Sequence, residues 1–153
     1  TDSFEEKMLD TWDAGNQADI GAFVKTVTKK NCNHRSKESG WTPLMILSGL
    51  ASSDKTADAI KSVIALGANP SIVDSEGWNA LHWAAFHGNL DTAKQLYEYD
   101  SVLLGVKDKE GKLPVEIAKQ ENNKDIAKYL AEVTATAEAS NTDAAADGVR
   151  KRK

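Results

Sequence analysis

One cysteine in 153 residues, Cys32, excludes an internal disulfide, and no apolar run approaches the ~20 residues that a membrane-spanning helix needs. The amino terminus, TDSFEEKMLD, is acidic and lacks the basic and apolar regions of a secretion signal. A reducing, intracellular setting is therefore expected, cytoplasmic, nuclear or both. The chain opens on Thr1 without methionine, from which initiator removal or trimming is expected. Excess positive charge is absent as well: the formal net charge is −4. From Val133 onward, Arg150, Lys151, Arg152 and Lys153 outweigh Glu138, Asp143 and Asp147, which leaves about −5 on the part before it. Such a balance argues against a nucleic-acid-binding face on the folded body. Catalytic signatures are also missing, with no phosphate-binding glycine loop, nucleophile elbow or zinc-protease helix motif. Cys32, His34 and His87 lack the paired spacing of a zinc site and read as an isolated loop thiol and surface histidine. No enzyme, metal or cofactor is expected.

What the chain does have is repetition. GWTPLMILSG from Gly40, GWNALHWAAFHG from Gly77 and GKLPVEIAKQ from Gly111 run nearly the same pattern, with the glycines 37 and 34 residues apart. This interval is close to the ~33-residue period of one common repeat architecture. The segment Asp74 to Tyr97, with Gly77, Leu81, His82, Ala84, Ala85, Gly88 and Leu90 in place, resembles the ankyrin repeat family, whose hallmark is T-P-L-H-x-A-A followed by a second helix. Thr42-Pro43-Leu44 and Leu66-Gly67-Ala68-Asn69 carry the same resemblance in the preceding unit. It implies an all-α fold: an ankyrin-repeat solenoid of about four stacked helix-turn-helix units with hairpin-like connecting loops. A chain this long has room for one domain, and a solenoid buries a continuous core only when several repeats stack. The expected layout is an ankyrin-repeat domain over residues 1–132, with repeats near 1–33, 34–72, 73–106 and 107–132, and a flexible tail over 133–153.

Within this layout the first unit reads as a degenerate cap, with helices from Phe4 to Ala14 and from Asp19 to Thr28. Phe4, Met8, Leu9 and Trp12 fall at helical spacing, and Glu5, Glu6, Asp10 and Asp13 are expected to face water. The second unit carries about four extra residues between Leu50 and Thr56, by comparison with the family period. They imply a bulged loop or a longer first helix, ahead of a second helix from Ala57 to Leu66. The third has helices from Ala80 to His87 and Leu90 to Tyr99, and an irregular exit where Asp100 replaces the family glycine. The fourth, Asp108 through Leu130, buries Leu113, Ile117, Ile126 and Leu130. Thr42 and Asn79 can cap their helices, whereas Leu113 cannot. After Glu132 the composition cannot bury enough surface to offset ordering entropy, although a helical extension from Val133 to Ala139 is allowed.

The resemblance also assigns roles. His82 matches the histidine that ties neighbouring repeats through backbone hydrogen bonds, and Met45 stands in its place one unit earlier. Positions around the turn glycine and at the end of the first helix line the concave surface on which partners dock. Here these include Glu38, Ser39, Trp41, Gly49 and Leu50, then Ser75, Glu76, Trp78, Phe86 and His87, then Lys109, Glu110, Lys112, Gln120 and Glu121. Candidate partner-binding residues are Trp41, Leu50, Glu76, Trp78, Phe86, His87, Lys109 and Lys112. Large rings at a charged edge have the composition of an interaction hot spot, which favours binding over the alternative that Trp41 and Trp78 pack on the neighbouring hairpin. Trp83 is expected to point into the stack and Trp12 into the core of the cap. The function these features imply is a monomeric, non-catalytic module that binds a protein partner through an aromatic and acidic concave surface. In the alternative, an adaptor uses the basic run Arg150 to Lys153 for nuclear import or partner contact, a run that could also merely aid solubility.

Overall fold

The computed structural model describes residues 3–135, and among them eight helices and no strand are present. They form four pairs: α1 (Ser3–Ala14) with α2 (Ile20–Thr26), α3 (Pro43–Gly49) with α4 (Asp54–Leu66), α5 (Ala80–His87) with α6 (Leu90–Tyr99), and α7 (Pro114–Gln120) with α8 (residues 124–135). Helix α3 packs between α1 and α5, and α5 packs on α7. In the second row α4 lies between α2 and α6. Met8, Leu44, Leu47, Ile60, Leu81, Leu96, Ile117 and Leu130 run through the stack as one buried core. The readings of Arg150 to Lys153 as an import or contact signal lie outside the described residues.

Local chemistry explains the helix starts. Thr42 accepts a hydrogen bond from the Met45 amide at 3.2 Å, Asn79 accepts one from His82 at 3.0 Å, and Pro43 and Pro114 occupy first-turn positions where no amide hydrogen is missed. Leu113 offers no cap, but Glu116 reaches back and accepts from its amide at 2.8 Å. The extra residues of the second unit neither lengthen α3 nor form only a loop: α4 begins three residues earlier than expected, at Asp54. Ser53 caps the Thr56 amide at 3.1 Å, and the Thr56 hydroxyl donates to Ala51 O at 2.9 Å. The exit from α6 is irregular, as Asp100 implies. Asp100 accepts from the Val102 amide and opens a 3₁₀ turn, Ser101–Gly105, whose Leu103 is buried.

Hairpins join the pairs and pair with one another. Ser75 N donates to Ser39 O at 2.9 Å, and Lys109 N donates to Glu76 O at 3.0 Å. Gly77 shows why this geometry needs glycine: its φ is +81°, and a Cβ there would lie 2.8 Å from Lys109 N. Gly111 has a similar φ of +80° but nothing within 4 Å of the corresponding point, because no described hairpin follows it.

Candidate functional site

Two aspartates organise the hairpins that present the expected site. Asp74 Oδ1 accepts from the amides of Glu76 and Trp78, and Asp108 Oδ1 accepts from those of Glu110 and Lys112, all between 2.9 and 3.0 Å. Each second oxygen takes an indole. Trp83 Nε1 donates to Asp74 Oδ2 at 3.1 Å, and Trp78 Nε1 reaches the following hairpin to donate to Asp108 Oδ2 at 2.8 Å. Burial pushes the Asp108 carboxyl up, but the Lys112 amide, the Trp78 indole and the Glu110 amide outweigh it and hold the group below its ordinary value. Ser36 fills the equivalent role in the second unit, accepting from the Trp41 amide at 2.9 Å.

His82 ties the third unit to the fourth. It is fully buried, and since the Lys112 carbonyl can only accept, the 3.0 Å contact to it places the proton on Nε2, while Nδ1 accepts from the Asn79 amide at 3.2 Å. Both ring nitrogens are thus committed to structure. Burial is the main cause that lowers its pKa, opposed by the Lys112 carbonyl, Asp108 and Asp74. Met45, its counterpart in the second unit, is buried and contributes by packing.

Of the expected partner-contact residues, the fold brings four into one run of rings. Trp41 meets Trp12 edge to face at 6.2 Å between centroids, Trp12 meets His87 at 5.1 Å, His87 meets Phe86 at 4.9 Å, and Phe86 meets Trp78 at 5.3 Å. Trp41, Trp78 and Phe86 are half-buried and His87 is exposed. Trp78 and Trp41 each pack on neighbouring side chains while keeping part of the ring at the surface. Glu76 and Lys109 are exposed on their hairpins, and the half-buried Lys112 bonds Gln120 and lies 3.3 Å from Glu110. Leu50 must be corrected: it is 4 % exposed, because the loop after α3 turns it into the core, and it offers no side chain to a partner. Gly49 is buried too, since the rings of Trp12 and Trp83 close over it and a Cβ there would come within 2.7 Å of Trp12.

Trp83 points into the stack, at 4 % exposed, as its position implies. Trp12 does not belong to the core of the cap. It is half-buried at the surface, wedged between Trp41, Trp83 and His87. Glu5 also departs from the expected water-facing role: its carboxylate bonds His34 Nε2 at 2.8 Å and accepts from the Lys37 amide at 3.2 Å, clasping the first pair to the second. The His34 bond, then the Lys37 amide, hold Glu5 below its ordinary pKa. Cys32 is buried against the Leu66 carbonyl, so Cys32, His34 and His87 lie in three different surroundings.

Asn89 and Asn123 escaped the sequence reading. Asn89 Nδ2 donates to Ser48 O and Leu50 O at 2.8 Å each, and Asn123 Nδ2 donates to Ala85 O and Phe86 O at 2.7 and 3.0 Å. Each closes the carboxyl end of the preceding unit's first helix from the start of its own second helix. Their 34-residue separation, equal to one repeat interval, was the available signal.

Two hollows flank the ring run. One, of about 460 Å³, lies between α1 and the second unit's hairpin, lined by Glu5, Leu9, Asp13, Lys37, Glu38 and Trp41 among others. The other, of about 380 Å³, is bordered by Trp12, Asp13, Gly49 and His87. A third, of about 430 Å³ between α1 and α2, holds none of the expected contact residues.

A family model described as ankyrin repeats, in three copies, matches residues 47–143, well over half of the sequence. The chain belongs to the ankyrin-repeat family. Among curated proteins, the glycerophosphocholine phosphodiesterase gde1 of Schizosaccharomyces pombe is 35% identical over 75 residues, which is 48% of this chain and 6% of that protein. So small a share of gde1 carries no activity across to this stack. Among solved structures, a chain from the crystal structure of the yeast ribosomal protein Rps3 in complex with its chaperone Yar1 superposes with a TM-score of 0.67 at 18% identity, covering 83% of this chain and 89% of that one. At this identity the likeness is one of fold. Among the described residues, no helix is long and apolar enough to cross a membrane.

Proposed function

We propose that this ankyrin stack is a non-catalytic module that binds a protein partner on the face formed by its hairpins and first-helix ends. The observation that carries the reading is the run of rings, the half-exposed Trp41, Trp12, Phe86 and Trp78 with the exposed His87, beside the exposed carboxylates Glu38, Glu76 and Glu110 on the adjoining hairpins. Rings packed against one another, with Trp78 pinned by Asp108, are held before a partner arrives, so docking costs little side-chain entropy. Charged Glu76, Lys109 and Lys112 would form the rim, with the buried Leu50 excluded. Both ring nitrogens of His82 serve the fold, which supports a binding role over acid–base chemistry. The fold neighbour comes from a complex of a ribosomal protein with its chaperone, which supports a protein as the ligand class.

The test is affinity capture from the native cell extract with the intact chain and with Phe86→Ala, whose ring makes no hydrogen bond that the stack needs. Specific partners should be depleted by Phe86→Ala while the circular dichroism spectrum is unchanged. Unaltered capture would remove the face from consideration, and loss only on deleting residues 136–153 would move the function to the tail.

A further inference from the structure

The two hollows beside the ring run share one wall, Asp13, and both set carboxylates next to an indole. In the larger, Trp41 stands with Glu5, Asp13 and Glu38, against a single cation, Lys37. In the smaller, Trp12 stands with Asp13 and His87. Glu5 is already engaged by His34 and the Lys37 amide, so it supplies fixed negative charge to the floor and no free acceptor. Asp13 and Glu38 are exposed and no hydrogen bond within the described fold holds their carboxylates. Apolar Leu9 and the ring of Trp41 form the remaining wall.

We propose that this double hollow is the part of the binding face that recognises a basic, arginine-bearing segment of the partner protein, with one guanidinium seated in each hollow. The inference rests on the binding-face reading and adds the partner's chemistry and one contact residue, Asp13, which joins Trp12, Trp41 and Glu38 in the two hollows. A guanidinium is flat and weakly hydrated, so it stacks on an indole while its N–H fork bonds a carboxylate beside the ring. A neutral or acidic segment would leave Asp13 and Glu38 facing apolar or like-charged groups. Trp12 and Trp41 pack against each other at the ridge between the hollows, which spaces two basic side chains along one segment.

Indole N–H signals in a ¹⁵N spectrum of the full chain give a site-specific readout, because each of the four tryptophans reports separately. The probe is a short acetylated peptide of alternating alanine and arginine, compared with its neutral citrulline counterpart, at ionic strength near 0.15 M. The arginine peptide should shift the Trp12 and Trp41 signals most, leaving Trp78, which is bonded to Asp108 away from both hollows, in place. The double variant D13N/E38Q, altered only at exposed side chains, should weaken binding by about ten-fold or more, as expected on losing charge-assisted bonds. Equal binding of the citrulline peptide, or D13N/E38Q within about two-fold of the parent, overturns the proposal. Binding that emerges only after residues 136–153 are removed would make the chain's own basic end the occupant, and a separate basic partner would be rejected. Partner capture lost in Phe86→Ala but retained in D13N/E38Q would sink this inference alone, whereas capture unaffected by Phe86→Ala would sink the reading beneath it.

Discussion

Trp78 and Asp108 belong to different repeats, and the 2.8 Å bond between indole and carboxylate locks one hairpin to the next. The same carboxylate closes its own turn through the Glu110 and Lys112 amides. Trp78→Phe would keep most of the ring area but leave Asp108 Oδ2 without its donor at a buried position. A loss of about 1.5–3 kcal/mol in urea-unfolding stability is expected, the range for a bond to a charged acceptor. In an Asp108→Asn background the same change should cost markedly less. A Trp78→Phe loss below about 0.5 kcal/mol would show that the bond adds nothing beyond ring packing.

Asn89 makes a different kind of junction. It sits at the start of α6 without capping that helix, and spends both amide hydrogens on the carbonyls that α3 leaves open. Asn89→Ala should cost about 2 kcal/mol, since two buried carbonyls lose their donors. Asn89→Asp should be worse than alanine, because it sets an acceptor against two acceptors. Thermal melts of the pair decide the matter: if aspartate equals or exceeds alanine in stability, the amide is not acting as a donor.

Gly77 and Gly111 separate two reasons for a turn glycine. Both have a left-handed backbone, for which alanine costs about 1–2 kcal/mol. Only Gly77 also touches a neighbouring hairpin closely enough for a methyl to collide with Lys109 N. Gly77→Ala should therefore be more destabilising than Gly111→Ala by at least about 1 kcal/mol, the scale of overpacking penalties. Equal losses in denaturant titrations would mean that the hairpins shift apart at no cost.

Those glycines, with Thr42, Asn79 and His82, were legible in the sequence because their roles are dictated by local backbone geometry and recur at the repeat interval. The helices of the third unit were legible to the residue for the same reason. Relationships across units were not. Glu5 finds its partners at His34 and Lys37, and Trp12 finds Gly49, Trp83 and His87, none of which helical periodicity within α1 reveals. Counting Leu50 as surface followed from extending the family's variable positions past the end of α3, where the loop turns inward. The early start of α4 comes from Ser53, whose hydroxyl caps the Thr56 amide, a signal that apolar spacing alone does not carry. Of the candidate site, the sequence indicated Trp41, Trp78, Phe86 and His87, while the residue that bridges them, Trp12, had been assigned to the core.

Acid should loosen the stack through His82 and His87 before its shifted carboxylates respond. Burial lowers the pKa of both His82 and His87, with nearby Asp108, Asp74 and Glu121 only partly offsetting it. In the unfolded chain each titrates near 6.5, so below that pH the unfolded state takes up protons that the folded state resists. Unfolding free energy must then fall as pH drops from about 6.5 toward the lowered folded-state values. His82 gives the mechanism: Nδ1 accepts from the Asn79 amide, and a proton there would break that bond inside the core and turn the nitrogen toward Asn79 Oδ1, 3.1 Å away, which already accepts from the His82 amide. Glu5 and Asp108 are shifted downward, so their contribution persists above the ordinary carboxylate range and is lost only below roughly pH 4. The melting temperature should be nearly flat from pH 8 to 7 and then decline to pH 5. His82→Gln should start lower at pH 7 but decline less steeply, and His87→Gln, altering an exposed ring, should change the slope less. Parallel curves for the parent and His82→Gln between pH 7 and 5 would show that His82 is not the group that couples protons to folding.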